Sequence, residues 1–284
     1  MFNKIIVPLD GSNGAEITLP YAVEIAAAFK SEVILATVSE TGTPDKSHLL
    51  EAYLKRVSAD LERSGVKTRT CELEGKAADE ILKLGASEKT DLMIIAAHGA
   101  TGGNPQMPGS IAGKILSGSG KPVLLVRTKR EAGPGRLIKR ILVPLDGSPM
   151  SERSLKLVEP AAAGLGAEVI LFQAVEPVRY VPGFETMVPN VVLPSDDEIK
   201  RSAGKYLTDF AAPFKARGAR LSTAVVADAP AEAIIDYSDS GNIDLIAMTT
   251  HGFSGIKRWV FGSTTQKVLQ AGSKPILVIP TDKD

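Results

Sequence analysis

The chain repeats itself, and this repeat constrains its fold more than any other feature of the sequence. KIIVPLDGS at residues 4–12 returns as RILVPLDGS at 140–148, and TDLMIIAAHG at 90–99 returns as IDLIAMTTHG at 243–252. The offset between copies grows from 136 to 153 residues, so the second copy carries a net insertion of 17 residues. Matching segments in the same order predict a duplicated domain.

The boundary between the copies is marked by composition. KREAGPGRL, at residues 129–137, is charged and rich in Gly and Pro, which is typical of a linker. We predict domain one at residues 1–130, the linker at 131–137 and domain two at 138–284. The insertion is assigned to the apolar, Pro-rich segment 178–194, either as a plain loop or as a lid or docking surface.

Within each copy, short apolar β-branched runs alternate with segments of helical length. Strands joined by helices imply right-handed crossovers and a parallel sheet that is covered on both faces. The predicted fold class is therefore α/β, with two tandem open, doubly wound, parallel five-stranded sheets. The first predicted strand is IIVPL in the first copy and ILVPL in the second. The later predicted strands are 33–38, 66–73, 91–97 and 122–127 in the first copy and 169–174, 219–226, 243–249 and 275–280 in the second.

The first helix of each copy has recognisable start and break signals. Ser12 and Ser148 precede the helical stretches at positions where an N-cap residue is favoured. Pro20 and Pro160 lie deeper in the same stretches, where a proline is predicted to kink or shorten the helix.

Charge and cysteine content limit the partners that we expect. The chain has 33 Lys and Arg against 33 Asp and Glu, so a broad electrostatic surface for nucleic acid or anionic membrane is not expected. No signal peptide and no apolar run of membrane-spanning length is recognised. One cysteine, Cys71, excludes an intramolecular disulfide and a cysteine-based metal cluster. We therefore expect a cytoplasmic protein without a membrane or nucleic-acid partner and without a metal site of its own.

Two features of each copy follow strands and are expected at the same edge of the sheet, where open α/β sheets bind ligands. One is an aspartate, Asp10 or Asp146, which can accept hydrogen bonds from ribose hydroxyls. The other is a thirteen-residue loop, 98–110 or 251–263, that runs from His-Gly to Gly-Ser at the start of a helix. A helix N-terminus attracts phosphate, although a Gly-Ser pair at this position can also serve only as a helix cap.

The loop interiors differ between the copies. The second loop contains Lys257 and Arg258, which either screen phosphate charge or are simply solvated. The first loop has no cation, and its Pro105 and Pro108 lack an N–H to donate. The second copy is therefore predicted to be the better phosphate site.

These landmarks, together with a final Lys-Pro-Val/Ile strand, resemble the universal stress protein family over the whole chain, in a tandem two-domain form. The family motif for nucleotide is Gly, two residues, Gly, nine residues, then Gly with Ser or Thr. Ala96 and Thr249 replace its first Gly, while the remainder is intact in both copies. The resemblance implies ATP, possibly with Mg²⁺, bound at Pro8, Asp10, Val38, Ala96, Gly99, Gly109, Ser110 and Ile111 in the first copy and at Pro144, Asp146, Ala174, Thr249, Gly252, Gly262, Ser263 and Thr264 in the second.

The leading hypothesis is a regulatory stress-response protein whose conformation or assembly responds to ATP. No Ser/His/Asp or Cys/His arrangement surrounds His98 or His251, so hydrolysis is expected to be slow or absent. The resemblance implies pairing through the last strands, either in a homodimer or between the two copies. The alternatives are a nucleotide-free interaction module and an adenylate-forming enzyme, whose usual Ser-Gly-Gly-x-Asp-Ser and His-x-Gly-His signatures are absent.

Overall fold

The computed structural model describes residues 1–39, 44–99, 108–127, 135–177, 194–250, 252 and 261–281. The first copy contains strands β1 (Lys4–Pro8), β2 (Glu32–Ser39), β3 (Lys67–Glu74), β4 (Leu92–Ala96) and β5 (Val123–Val126). Its helices are α1 (Asn13–Glu16), α2 (Leu19–Phe29), α3 (Pro44–Arg63), α4 (Ala77–Ser87) and α5 (Ser110–Gly118).

The second copy repeats this order. Its strands are β6 (Arg140–Pro144), β7 (Glu168–Val175), β8 (Leu221–Ala227), β9 (Leu245–Thr249) and β10 (Ile276–Ile279). Its helices are α6 (Pro149–Glu152), α7 (Leu155–Leu165), α8 (Asp196–Ala216), α9 (Pro230–Ser240) and α10 (Ser263–Ala271). The α/β prediction is confirmed, and each predicted strand is present within about two residues.

The strands of both copies form one ten-stranded sheet in the order β3-β2-β1-β4-β5-β10-β9-β6-β7-β8. Pairing is parallel within each copy, as predicted, and antiparallel where β5 meets β10, with Leu124 opposite Leu277. All residues of β5 and β10 are buried. Left as edges, two such apolar strands would expose unpaired backbone groups, and pairing them removes both edges.

The core lies on both faces of this sheet. Ile5, Ile6 and Val7 of β1 are all fully buried, as expected for a parallel strand that is covered by helices on two sides. The apolar cluster on one face runs without interruption from Leu92 and Leu124 of the first copy to Leu277 of the second. The two copies therefore share a core as well as a sheet.

The breaks in the first helices agree only partly with the proline signals. The helical stretch is divided at Ile17 and Thr18, although both residues keep right-handed helical φ and ψ. Pro20 lies in the first turn of α2, in agreement with the predicted shortening. Pro160 is predicted to kink or shorten its helix. The shortening is wrong, because α7 continues through Pro160 to Leu165, and the kink stays a prediction. Val158, Ala162 and Leu165 are buried on either side of Pro160, and this packing outweighs the loss of one backbone hydrogen bond.

The segment that enters the second copy is anchored to the first. The backbone N–H groups of Leu137 and Ile138 donate to the two carboxylate oxygens of Glu24 in α2, at 2.6 and 3.0 Å. Most of the predicted linker and nearly all of the predicted 178–194 insertion lie outside the described residues, and the domain boundaries remain a prediction. None of the described helices has the length and apolar character needed to cross a membrane.

Candidate functional site

The turn after β1 holds an aspartate in a fixed orientation. Gly11 adopts a left-handed φ of +81°, which favours glycine at this position of the turn. The Ser12 N–H and hydroxyl both donate to Asp10 Oδ1, at 3.0 and 2.5 Å. Ser12 Oγ also accepts from the Ala15 N–H and caps α1, which confirms the predicted N-cap.

The turn after β6 repeats this arrangement. Gly147 has a φ of +79°, and Ser148 donates its N–H and hydroxyl to Asp146 Oδ1 at 2.9 and 2.6 Å. Ser148 Oγ accepts from the Ser151 N–H and caps α6, again as predicted. Each aspartate therefore has one oxygen held by a serine at the carboxyl end of a central strand.

The second carboxylate oxygen of each aspartate faces a glycine on the neighbouring strand-to-helix loop. A Cβ atom built on Gly99 would overlap Asp10 Oδ2, and one built on Gly252 would overlap Asp146 Oδ2. Neither glycine has a positive φ, so the requirement for glycine comes from the close approach of the carboxylate and not from the backbone conformation. The sequence motif therefore brings the two predicted halves of the site together.

The Gly-Ser pairs open helices, as predicted. Gly109 and Gly262 are the N-cap residues of α5 and α10, and their N–H groups donate to Ala97 O and Thr250 O, both at 2.8 Å. No side chain among the described residues caps either helix. The first-turn N–H groups of a helix have no partner within the helix, and such groups can bind an anion.

Crevice one is the cavity of about 210 Å³ between the Asp10 turn and the start of α5. All eight residues predicted for the first copy line it: Pro8, Asp10, Val38, Ala96, Gly99, Gly109, Ser110 and Ile111. Ile81, Ile95 and Ile115 extend its apolar wall and were not predicted from the sequence, because they belong to helices and strands whose packing only the fold determines.

Crevice two is the corresponding cavity of about 300 Å³ in the second copy. All eight predicted residues line it: Pro144, Asp146, Ala174, Thr249, Gly252, Gly262, Ser263 and Thr264. Sequence reasoning missed Ser151 and Thr265, although aligning the repeats would have shown hydroxyls where the first copy has Ala15 and Ala112.

These two hydroxyls stabilise the frame of crevice two. Thr265 Oγ1 donates to Thr249 O at 3.0 Å and ties the first turn of α10 to the end of β9. Ser151 Oγ donates to Ser148 O at 2.9 Å and accepts from the Asp146 N–H at 3.3 Å. The wall beside the aspartate is therefore more polar in crevice two than in crevice one.

A tyrosine lies behind each aspartate turn. Tyr206 of α8 donates its hydroxyl to Glu152 Oε1 at 2.7 Å. Burial and, to a smaller extent, this carboxylate raise the pKa of Tyr206 above the ordinary value. Burial, followed by Glu16, raises the pKa of Tyr53 in the first copy in the same way. Both phenols therefore stay protonated around neutral pH.

Parts of the predicted site lie outside the described residues, namely Pro105, His251, Lys257 and Arg258. The described His98 lines crevice one. Across the described ranges, no group of three or more His, Cys, Asp or Glu residues is arranged to hold a metal ion.

Comparison with known proteins identifies the same family in both copies of the repeat. The model of the universal stress protein family matches residues 1–127 and again residues 137–280. Universal stress protein MJ0531 of Methanocaldococcus jannaschii is 31% identical over 145 residues, which cover 46% of this chain and 85% of that protein. Universal stress protein MT2698 of Mycobacterium tuberculosis is 23% identical over 293 residues, which cover 96% of this chain and 95% of that protein.

A solved structure shares the whole fold. The crystal structure of a universal stress protein from Archaeoglobus fulgidus superposes with a TM-score of 0.75, covering 99% of this chain and 100% of that one. The sequences are 20% identical over this alignment, so the likeness concerns the fold alone.

Proposed function

The chain belongs to the universal stress protein family, and from that premise we propose that it is a regulatory protein that binds an adenine nucleotide, ATP in particular. The observation that carries this proposal is the pairing, in each copy, of a serine-held aspartate with a helix N-terminus that no side chain of the described residues caps, across one crevice. The aspartates suit ribose hydroxyls, and the helix N-termini suit phosphates.

The walls of crevice two fit the other parts of the ligand. Pro144 and Ala174 leave space for the adenine ring at the carboxyl ends of β6 and β7. Ser263 and Thr264 place hydroxyl donors in the first turn of α10, beside the backbone N–H groups. Mg²⁺ would accompany the nucleotide through its phosphates and water, which is the usual way that proteins bind this ion.

The second copy is proposed as the stronger nucleotide site. Crevice two is larger, at about 300 against 210 Å³, and Thr264 occupies the position that Ile111 has in crevice one. We propose that ATP acts there as a regulatory ligand in the cytoplasm, with slow hydrolysis or none, and that it biases the conformation of the chain or its further assembly into a homodimer.

Mass spectrometry of small molecules released from the freshly purified, denatured protein tests this function. We expect adenine nucleotide at about one or two molecules per chain. A protein that releases none, and that binds no added ATP in calorimetry, would contradict the proposal and favour an interaction module without a nucleotide.

A further inference from the structure

The two outer edges of the ten-stranded sheet differ in charge. β3 forms one edge and β8 the other, and across the described ranges no further strand pairs with either of them. Charged side chains on an edge strand discourage pairing with another chain, and β8 contains no charged residue. At three positions β3 has a charged residue where the repeat gives β8 an uncharged one: Arg69 and Ser222, Glu72 and Val225, and Glu74 and Ala227.

Half of the backbone groups of β8 point to this edge. Val169 N–H donates to Arg220 O at 2.8 Å. Asp228 N–H donates to Val175 O at 3.1 Å, so the even-numbered residues of this segment face β7. Alternate residues of a strand direct their N–H and C=O groups to opposite sides. The groups that point to the edge therefore belong to Leu221, Thr223, Val225 and Ala227.

We propose that a second molecule of the chain pairs with this edge, β8 against β8 and antiparallel, so that two ten-stranded sheets join in a homodimer. Pairing of β8 with itself closes by a twofold axis, whereas pairing of β8 with the charged β3 of another molecule would continue into a filament. Of the proposed function this inference uses only the homodimer, and it requires no nucleotide in either crevice.

The strand is complementary to itself in one register. With Ala224 opposite its equivalent in the other molecule, Leu221 lies opposite Ala227 and Thr223 lies opposite Val225. Both members of each of these pairs direct their backbone groups to the edge, so every such group of β8 gains a partner. A shift of the register would leave part of them unpaired.

The same register brings opposite charges together at both ends of the strand pair. Arg220 directly precedes β8 and Asp228 directly follows it, and both are exposed. Each Arg220 then lies opposite the Asp228 of the other molecule, and the twofold axis creates two such pairs. Oppositely charged residues that face each other across antiparallel strands stabilise the pairing. This complementarity favours a second molecule of the same chain over an unrelated strand.

The helix that covers β8 leaves room on this side. In the first copy, Glu62 of α3 accepts a hydrogen bond from β3 at 2.8 Å, and Glu51 and Lys55 form an ion pair two to three turns earlier on the same side of the helix. At the positions of this ion pair, α8 has Gly204 and Thr208. A Cβ atom built on Gly204 meets no described atom within 4 Å, so α8 leaves space for the same helix of the other molecule.

Analytical ultracentrifugation of the full chain over a concentration series tests this interface. We expect the unmodified chain to dimerise. Thr223→Pro removes an N–H that points to the edge and keeps the ladder with β7, because proline is tolerated where the N–H faces away from the sheet. We expect it to raise the dissociation constant of the dimer at least about tenfold, since the twofold axis removes two hydrogen bonds.

Thr70→Pro is the matched control, because Thr70 is the equivalent threonine of β3. Gly75 N–H donates to Ser39 O at 3.0 Å, so the odd-numbered residues of β3 face β2 and the N–H of Thr70 points to the other edge. We expect Thr70→Pro to leave the dissociation constant unchanged. An unmodified chain that stays monomeric up to about 100 μM would overturn the proposal and leave the edge to a different partner. Equal effects of the two proline substitutions would also overturn it.

A charge exchange keeps the proposal testable if a proline variant does not fold. Arg220→Glu places like charges opposite each other, and we expect it to weaken the dimer about tenfold at low salt. Adding Asp228→Lys restores opposite charges, and we expect the dissociation constant to return to within about threefold of the native value. A double variant that dimerises no better than Arg220→Glu would overturn the proposal. None of these residues lines a crevice, so ATP titration of the same variants tests the proposed function separately.

Discussion

Asp146 shows how neighbouring residues can fix the orientation of a single carboxylate. Ser148 holds its Oδ1 through two hydrogen bonds, and Oδ2 lies so close to Gly252 that a Cβ atom there would overlap it. The carboxylate is therefore oriented before a ligand arrives, which reduces the entropy that binding must cost.

Asp146→Asn tests the role of this carboxylate in ribose recognition. Because Ser148 would keep the amide oxygen in the Oδ1 position, the amide NH₂ would replace the acceptor that faces Gly252. Working in the Gly99→Val background, in which the added side chain blocks crevice one, we expect ATP affinity to fall about tenfold or more and the affinity for 2′,3′-dideoxy-ATP to stay nearly constant. Equal losses for both ligands in calorimetry would mean that Asp146 does not contact the ribose.

Cys71 supports a pH prediction at the same scale. It lies in β3 and packs against the core, and burial raises the pKa of its thiol above the ordinary value, although Arg69 opposes this shift. At pH 8 we therefore expect iodoacetamide to alkylate the folded protein more than tenfold more slowly than the same chain in urea.

The sign of the stability effect follows from the same shift. A group whose pKa is higher in the folded state contributes stability below its unfolded pKa and loses it as pH rises through the folded value. Stability should therefore fall in alkaline solution more steeply for the native chain than for Cys71→Ala. Native alkylation as fast as that of the unfolded chain would contradict the burial of this thiol.

At the scale of elements, the strands could be predicted because parallel strands that are buried on both faces leave continuous apolar runs, such as Ile5 to Val7. Asp10 and the loop that begins at Gly99 could be expected together because the carboxyl ends of β1 and β4 meet at one edge of the sheet. The other site residues came from the family resemblance, and their role in binding stays a prediction. The continuation of α7 through Pro160 could not be predicted, since it depends on tertiary packing that a local proline signal does not contain.

The contact between α2 and the segment that enters the second copy supports a prediction at the scale of elements. Glu24 accepts two backbone N–H groups, one of them from the fully buried Ile138. Glu24→Gln leaves one acceptor for two donors, and we expect the free energy of unfolding to fall by about 1–3 kcal/mol in urea titration.

Glu72→Gln provides the control for this loss of charge, because Glu72 is exposed on β3. It should change the free energy of unfolding by less than about 0.5 kcal/mol. Similar effects of the two substitutions would mean that Glu24 does not anchor the segment before β6.

At the scale of the whole molecule, the repeat has joined two domains into one sheet. The antiparallel β5–β10 pair and the shared apolar cluster leave no plane along which the copies separate without exposing core residues. The sequence predicted the duplication, but the resemblance left open whether the last strands pair between the copies or between two chains. Only the register of Leu124 opposite Leu277 decides this for the chain described here.

A shared core predicts cooperative unfolding. Trp259, the single tryptophan, lies in the sequence of the second copy and outside the described residues. We expect its fluorescence to follow that copy, whereas far-UV circular dichroism follows both. We expect the two probes to give the same urea midpoint. Separate midpoints would show that the copies unfold independently despite the common sheet.

The most direct test of the central claim is calorimetric titration, with ATP, of full-chain variants that carry an added side chain at either helix N-terminus. Gly262→Val and Gly109→Val alter the N-cap residues of α10 and α5, where the phosphates are proposed to bind. We predict that Gly262→Val weakens ATP binding by at least about tenfold and that Gly109→Val has a much smaller effect. Equal losses would contradict the ranking of the crevices, and unchanged binding in both variants would contradict the phosphate site itself.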